Sequence, residues 1–240
     1  MAKLLQDKIA LITGSSRGIG AAIARRYIKE GAHVIAVARN TTQLELLDDY
    51  ARKHNSAITI VPLDLQEFIK IDELGYEIAK RFGHIDILVG NAATLGVLSP
   101  LSHIKPSLWE NIIDLNLTAN WRLIRSFDPL LHNSKAGRAI FVTSSVTKDV
   151  TSYWGPYSIS KSGLEMLVKT YAEEISITNI KANLVDPGIV ETSMLAQAFP
   201  GLDKTHIPKP DDITDIFVEL ASEHCNINGE ILGVHNNDKQ

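Results

Sequence analysis

Short apolar runs alternate along the chain with longer stretches whose apolar residues recur every three or four positions. The runs are Lys8 to Thr13 (KIALIT), His33 to Ala38 (HVIAVA), Ala57 to Leu63, Ile85 to Val89, Arg138 to Thr143, Lys181 to Val185 and Ile231 to Val234. Continuous apolar runs bounded by charges and glycines are the mark of strands buried on both faces, as in a parallel sheet. Helical spacing appears from Ala21 to Glu30, after Thr41 or Thr42 as a cap, from Phe68 to Phe82, from Pro106 through Leu131, after Pro156 and from Asp211 to Ser222. Pro129 is expected to end or kink its helix. Strands alternating with helices predict an α/β fold, one doubly wound parallel sheet of about seven strands with helices on both faces. The period lapses between Ser193 and Pro210, and a segment of about 193–210 without a pattern inside a compact domain predicts an active-site lid. The whole chain, 1–240, reads as a single domain.

The first strand runs straight into Gly14-Ser15-Ser16-Arg17-Gly18-Ile19-Gly20 and then into a helix. Free amides and the helix dipole make such a turn an anion site. Gly14 permits the sharp turn, Gly18 lets the backbone approach a pyrophosphate, and Gly20 lets helix and strand pack closely. The sheet is therefore of Rossmann type, with a dinucleotide along the carboxyl ends of its strands. The second strand ends in Ala38-Arg39 with no carboxylate to hold ribose hydroxyls. Arg39, with Arg17 from the glycine turn, suits a 2′-phosphate instead, which favours NADP(H) over NAD(H). Asp64, followed by Leu65 at the third strand's end, either hydrogen-bonds an adenine amino group or caps the next helix.

Composition narrows the class. The chain of 240 residues is 45% hydrophobic with a net charge of −4, so it can bury a large core and has no basic excess for nucleic acid or an anionic membrane. Its single cysteine, Cys225, excludes an internal disulfide framework and fits a reducing cytosol. The amino terminus lacks a signal-peptide pattern, and no apolar run is long enough to span a bilayer. A cytoplasmic protein is expected.

The candidate chemistry lies in Gly155-Pro156-Tyr157-Ser158-Ile159-Ser160-Lys161. Pro156 suits the first helical position, and Tyr157 and Lys161 then share one face, one turn apart. An ammonium near a phenol favours the phenolate and makes Tyr157 a usable proton donor and acceptor. Asn116, amid apolar neighbours, must find partners, so it either organises water or props a strand.

Together, Thr13-Gly14-x-x-x-Gly18-Ile19-Gly20, Asn91-Ala92, Asn116, Ser144, Tyr157-x-x-x-Lys161 and Pro187-Gly188-x-x-x-Thr192 resemble the short-chain dehydrogenase/reductase family from about Lys8 to Val234. The resemblance implies a carbonyl or alcohol substrate, with Tyr157 as general acid/base. It implies that Lys161 holds the nicotinamide ribose, Ser144 bonds the reacting oxygen, and Asn116 positions a water leading to solvent. Ile189 and Thr192 would hold the cofactor's carboxamide end, and Asn91 would stabilise the central sheet. The family's interval between serine and tyrosine selects Ser144 over neighbouring Ser145. Where relatives often carry Asn-Asn-Ala-Gly, this chain has Gly90-Asn91-Ala92-Ala93, which reshapes the pocket. Leu95, Val97, Trp154, Ile189, Met194, Leu195 and Phe199 suggest an apolar or weakly polar substrate in place of an anionic one. A homodimer or homotetramer through helices 106–131 and 156–178 is implied too. A catalytically silent dinucleotide-binding regulator is the alternative.

Overall fold

The computed structural model describes residues 3–234. Strands β1 (Ile9–Thr13), β2 (His33–Ala38), β3 (Ile58–Pro62), β4 (Ile87–Gly90), β5 (Arg138–Val142), β6 (Lys181–Asp186) and β7 (Ile231–Gly233) form one parallel sheet in the order β3-β2-β1-β4-β5-β6-β7. The strand order reverses between β1 and β4, so the helices leaving these two strands diverge to opposite sides and open a crevice at their carboxyl ends.

Helices α1 (Gly18–Lys29), α2 (Thr41–Lys53), α3 (Phe68–Phe82), α4 (Pro106–Ile113), α5 (Ala119–His132), α6 (Gly155–Glu174), α7 (Ser193–Ala198) and α8 (Asp215–Ala221) complete the chain. Alternate strand residues feed two separate cores, as a side-chain period of two requires. Ala10, Ile12, Val34 and Ala36 pack with Ile23 and Tyr27 of α1, Leu44 of α2 and Phe217 of α8. Leu11, Ile35, Leu88 and Phe141 pack with Ile71 of α3, Phe127 of α5 and Leu164 of α6.

Four expectations change in detail. Asn40, not Thr41 or Thr42, caps α2, its side chain accepting from the Gln43 amide at 3.1 Å. The helical stretch begun at Pro106 is split by a π turn, Asp114–Thr118, and then runs past Pro129 to His132. The 193–210 segment starts with a helix too short to show a period, α7, before it becomes irregular. The last predicted helix divides into a 3₁₀ turn, Pro210–Ile213, and α8.

Candidate active site

All seven parallel strands end at one rim, where a cleft of about 1130 Å³ opens. Every candidate catalytic and cofactor-binding residue from the sequence lines it except Gly20 and Asn116, which are buried. One end is built on the glycine turn. The Thr13 hydroxyl donates to the Val89 carbonyl (3.1 Å) and accepts from the Asn91 and Ala92 amides (2.9 and 3.2 Å). Asn91 Nδ2 returns a bond to the Thr13 carbonyl at 2.9 Å, so β1 and β4 are stapled where the crevice begins. Gly14 turns the chain with φ of 68°, and a Cβ at Gly20 would overlap both Asn91 Nδ2 and the Gly14 carbonyl. Arg17 precedes α1 without a side-chain cap, and no acidic residue occupies the first turn. That leaves uncapped amides and the positive dipole end beside the cleft, which fits a dinucleotide pyrophosphate.

Arg39 extends from β2 into solvent with Nη1 3.4 Å from Asp64 Oδ2. Asp64 Oδ1 accepts from the Gln66 amide (3.1 Å), so it closes a turn and does not cap α3, which follows Glu67. Asn40 and Gln43 also line this end. Sequence reasoning missed them, although their place beside Arg39 was the available signal.

At the other end α6 presents Tyr157 and Lys161, both buried, and the loop after β5 presents Ser144. Ser144 hydrogen-bonds the phenol, and Ser145 is exposed beside it. Lys161 Nζ donates to the Val142 carbonyl at 2.7 Å and lies 5.9 Å from the Tyr157 ring centroid. The electrostatics differ from the expected lowering of the tyrosine pKa. Burial holds the Tyr157 phenol above its ordinary value, and the Asp186 carboxylate adds to this, while the Ser144 hydrogen bond works the other way. Complete burial also pulls Lys161 down to about 8, partly offset by Glu165. Spacing reveals that the two groups are neighbours; it does not reveal how much water they have lost.

Buried Asn116 has the partners it needs. In the π turn its Oδ1 accepts from the Thr94 amide (2.8 Å), and its Nδ2 donates to the Thr94 carbonyl (2.9 Å) and Ser160 Oγ (3.0 Å). Its side chain therefore ties the loop after β4 to α6. Ser160, unnoticed in sequence, also donates to the Tyr157 carbonyl at 2.7 Å.

A family profile described as short chain dehydrogenase matches residues 8–203. The chain belongs to the short-chain dehydrogenase family. It is 31% identical to the uncharacterized oxidoreductase YciK of Escherichia coli K12 over 223 residues, 92% of this chain and 88% of that protein. It is 32% identical to 2,3-dihydro-2,3-dihydroxybenzoate dehydrogenase of Bacillus subtilis, covering 92% and 91% of the two chains. A short chain dehydrogenase from Escherichia coli CFT073 solved with NADPH superposes with a TM-score of 0.93 at 30% identity, over 98% and 99% of the two chains. The protein is thus an NAD(P)-dependent oxidoreductase acting on CH–OH groups, which displaces the silent-regulator alternative.

Beside Tyr157 the dehydrogenase offers a mostly apolar wall. Leu95, Trp154, Ile189, Met194, Leu195 and Phe199 line it, whereas Val97 does not. Trp154 meets the Tyr157 ring edge-on (6.0 Å between centroids) and the Phe199 ring at 5.8 Å. Gln197 Nε2, on α7, reaches across to the Gly96 carbonyl at 2.9 Å. The dehydrogenase's departure at Gly90 is filled from elsewhere: a Cβ there would overlap the Phe141 ring and Asn120 Oδ1. Ala93 lines the cleft.

Proposed function

We propose that this dehydrogenase interconverts an apolar alcohol and its ketone or aldehyde with NADP(H), with Tyr157 as general acid/base. The observation that carries this reading is the meeting of Tyr157, Ser144 and Lys161 at one end of a cleft whose other end is an uncapped glycine turn flanked by Arg17 and Arg39. Gly14, Ser16, Arg17, Gly18 and Ile19 would hold the pyrophosphate and 2′-phosphate side. Asp64 and Leu65 would border the adenine, and Pro187, Gly188, Ile189 and Thr192 would border the carboxamide. The bound cofactor supplies or accepts hydride at the substrate carbon.

The chain's own residues manage the proton. In reduction the Tyr157 hydroxyl donates to the carbonyl oxygen as that oxygen gains charge, and Ser144 donates a second hydrogen bond to it. A phenol held above its ordinary pKa stays protonated at neutral pH, the form that reduction needs. In oxidation the same oxygen must return its proton, so activity rises with pH. Buried Lys161 places positive charge beneath the phenol when protonated. Asn116 serves by fixing Thr94 and Ser160, the latter bonded in turn to the Tyr157 carbonyl. The 193–210 segment acts as the lid, and the Gln197–Gly96 bond closes it over the apolar wall.

The test is a panel of uncharged ketones and aldehydes followed by NADPH absorbance and repeated with NADH. Turnover favouring NADPH is expected; tight NADPH binding with no turnover anywhere would overturn the reading. Arg39→Ala should raise KM for NADPH about 10–100-fold, the worth of one charge-assisted phosphate contact, with little change for NADH. Equal effects on both cofactors would remove Arg39 from the 2′-phosphate site. A cytoplasmic homo-oligomer belongs to the same reading, supported by exposed Trp121 on α5 and Ile159 and Met166 on α6. Phe127 is fully buried in the core and is no part of that surface.

A further inference from the structure

Trp154 is the residue from which the Tyr157 helix starts, and it also lines the cleft. Its carbonyl accepts from the Ser158 amide at 2.9 Å and from Ser158 Oγ at 3.1 Å, which fixes it to the first turn of α6. Its indole touches two other rings: Tyr157 edge-on, at 63° between planes, and Phe199 tilted at 37°. Phe199 closes α7, its amide donating to the Leu195 carbonyl at 2.9 Å. That helix is itself held, with Thr192 Oγ1 accepting from the Leu195 amide (3.2 Å) and Gln197 bonded to Gly96. A row of three rings therefore links the phenol to the 193–210 segment.

Apolar surface stays uncovered along this row. Phe199 is 46% exposed and Ile189 59% exposed, although both line the cleft. Covering such surface in a concave site is favourable. Charge is scarce there. Among the described residues, the charged side chains that line the cleft are Arg17, Arg39, Asp64 and Lys161. The first three sit in the glycine turn or just past β2 and β3, and buried Lys161 gives Nζ to the Val142 carbonyl. A carboxylate brought against Trp154 would lose water and meet no cation in return.

We propose that Trp154 is a specificity-determining residue which, with Phe199, selects uncharged ketones and aldehydes carrying an aromatic ring. The proposal rests on Tyr157 as the proton-transfer group at the carbonyl oxygen. Aromatic rings attract one another beyond the area they cover, edge-on or offset, at centroid separations of about 4.5–7 Å. Both contacts of the indole already have this geometry. A ring entering the cleft meets indole and phenyl surface that is held in place beforehand, so binding has little left to order. A saturated ring of similar size covers comparable apolar area but lacks the negative face and positive edge that such contacts use. That contrast separates a site that selects rings from one that is merely apolar.

The experiment compares benzylacetone with its cyclohexyl analogue, whose carbonyls are equally remote from the ring, and with benzylacetone bearing a para-carboxylate. With NADPH, kcat/KM should favour benzylacetone over the cyclohexyl ketone about tenfold, and over the carboxylate by more. Trp154→Leu should bring the first ratio close to one, mainly through KM, whereas Trp154→Phe should keep most of it. A ratio near one in the unaltered enzyme would overturn the proposal. So would an equal loss for both ketones in Trp154→Leu, which is what a prop for the Tyr157 helix alone would give. Phe199→Leu should lower the ratio in part, and it keeps the proposal decidable if Trp154→Leu does not fold, because that side chain is largely exposed. Dissociation constants of the two uncharged ketones on the Tyr157→Phe variant with NADPH should show the same preference without turnover, and equal constants would overturn it. An enzyme that reduced none of the three would sink the catalytic reading separately, while those constants still decide the ring preference.

Discussion

Replacing Tyr157 with phenylalanine lowers kcat/KM for carbonyl reduction by about 10²–10⁴-fold, the usual worth of one general acid, and leaves NADPH affinity essentially unchanged. The ring stays because its packing does not need the hydroxyl: it is buried and sits edge-on against Trp154. The hydroxyl meets Ser144 and the open cleft, so the fold loses little with it. Steady-state kinetics and a fluorescence titration with NADPH separate the two effects. Undiminished turnover would show that protonation comes from another group.

Replacing Arg138 with methionine destabilises the fold by about 3 kcal/mol or more and lowers the melting temperature by roughly 6–12 °C. The residue opens β5 yet is only 3% exposed. Its guanidinium donates to the carbonyls of Gly137 (2.8 Å), Asn179 (3.1 Å), Ser222 (3.0 Å), Glu223 (2.9 Å) and Cys225 (3.1 Å). Methionine fills a similar volume but donates nothing, so several carbonyls lose their partner in a place water reaches poorly. Lysine should recover only part of the loss, because one ammonium cannot reproduce the planar fork. A circular-dichroism melt coinciding with that of the unaltered protein would show that these bonds contribute nothing net.

Arg138 also illustrates the boundary between what pattern reveals and what it hides. In sequence it reads as the polar end of a strand, and that much holds. Its burial comes from loops roughly forty and eighty residues further along the chain, beyond the reach of a local pattern. The parallel strands were legible because both faces of each are covered, which leaves an uninterrupted apolar run. The glycine turn was legible because backbone geometry restricts residue choice there. The π turn was not: Asp114-Leu115-Asn116-Leu117-Thr118 keeps a helical rhythm, and the Asn116 bonds to Thr94 and Ser160 form only once the fold brings those residues alongside. Tyr157 and Lys161 were found by spacing, but the sign of the phenol's displacement needed knowledge of its burial and of Asp186.

The missing side chain at Gly90 has an evolutionary consequence. Phe141 and Asn120 crowd the volume that any larger residue would claim. These three sites are coupled: a side chain gained at 90 requires its neighbours to shrink or turn aside. A substitution at 90 alone would pass through a poorly folded intermediate.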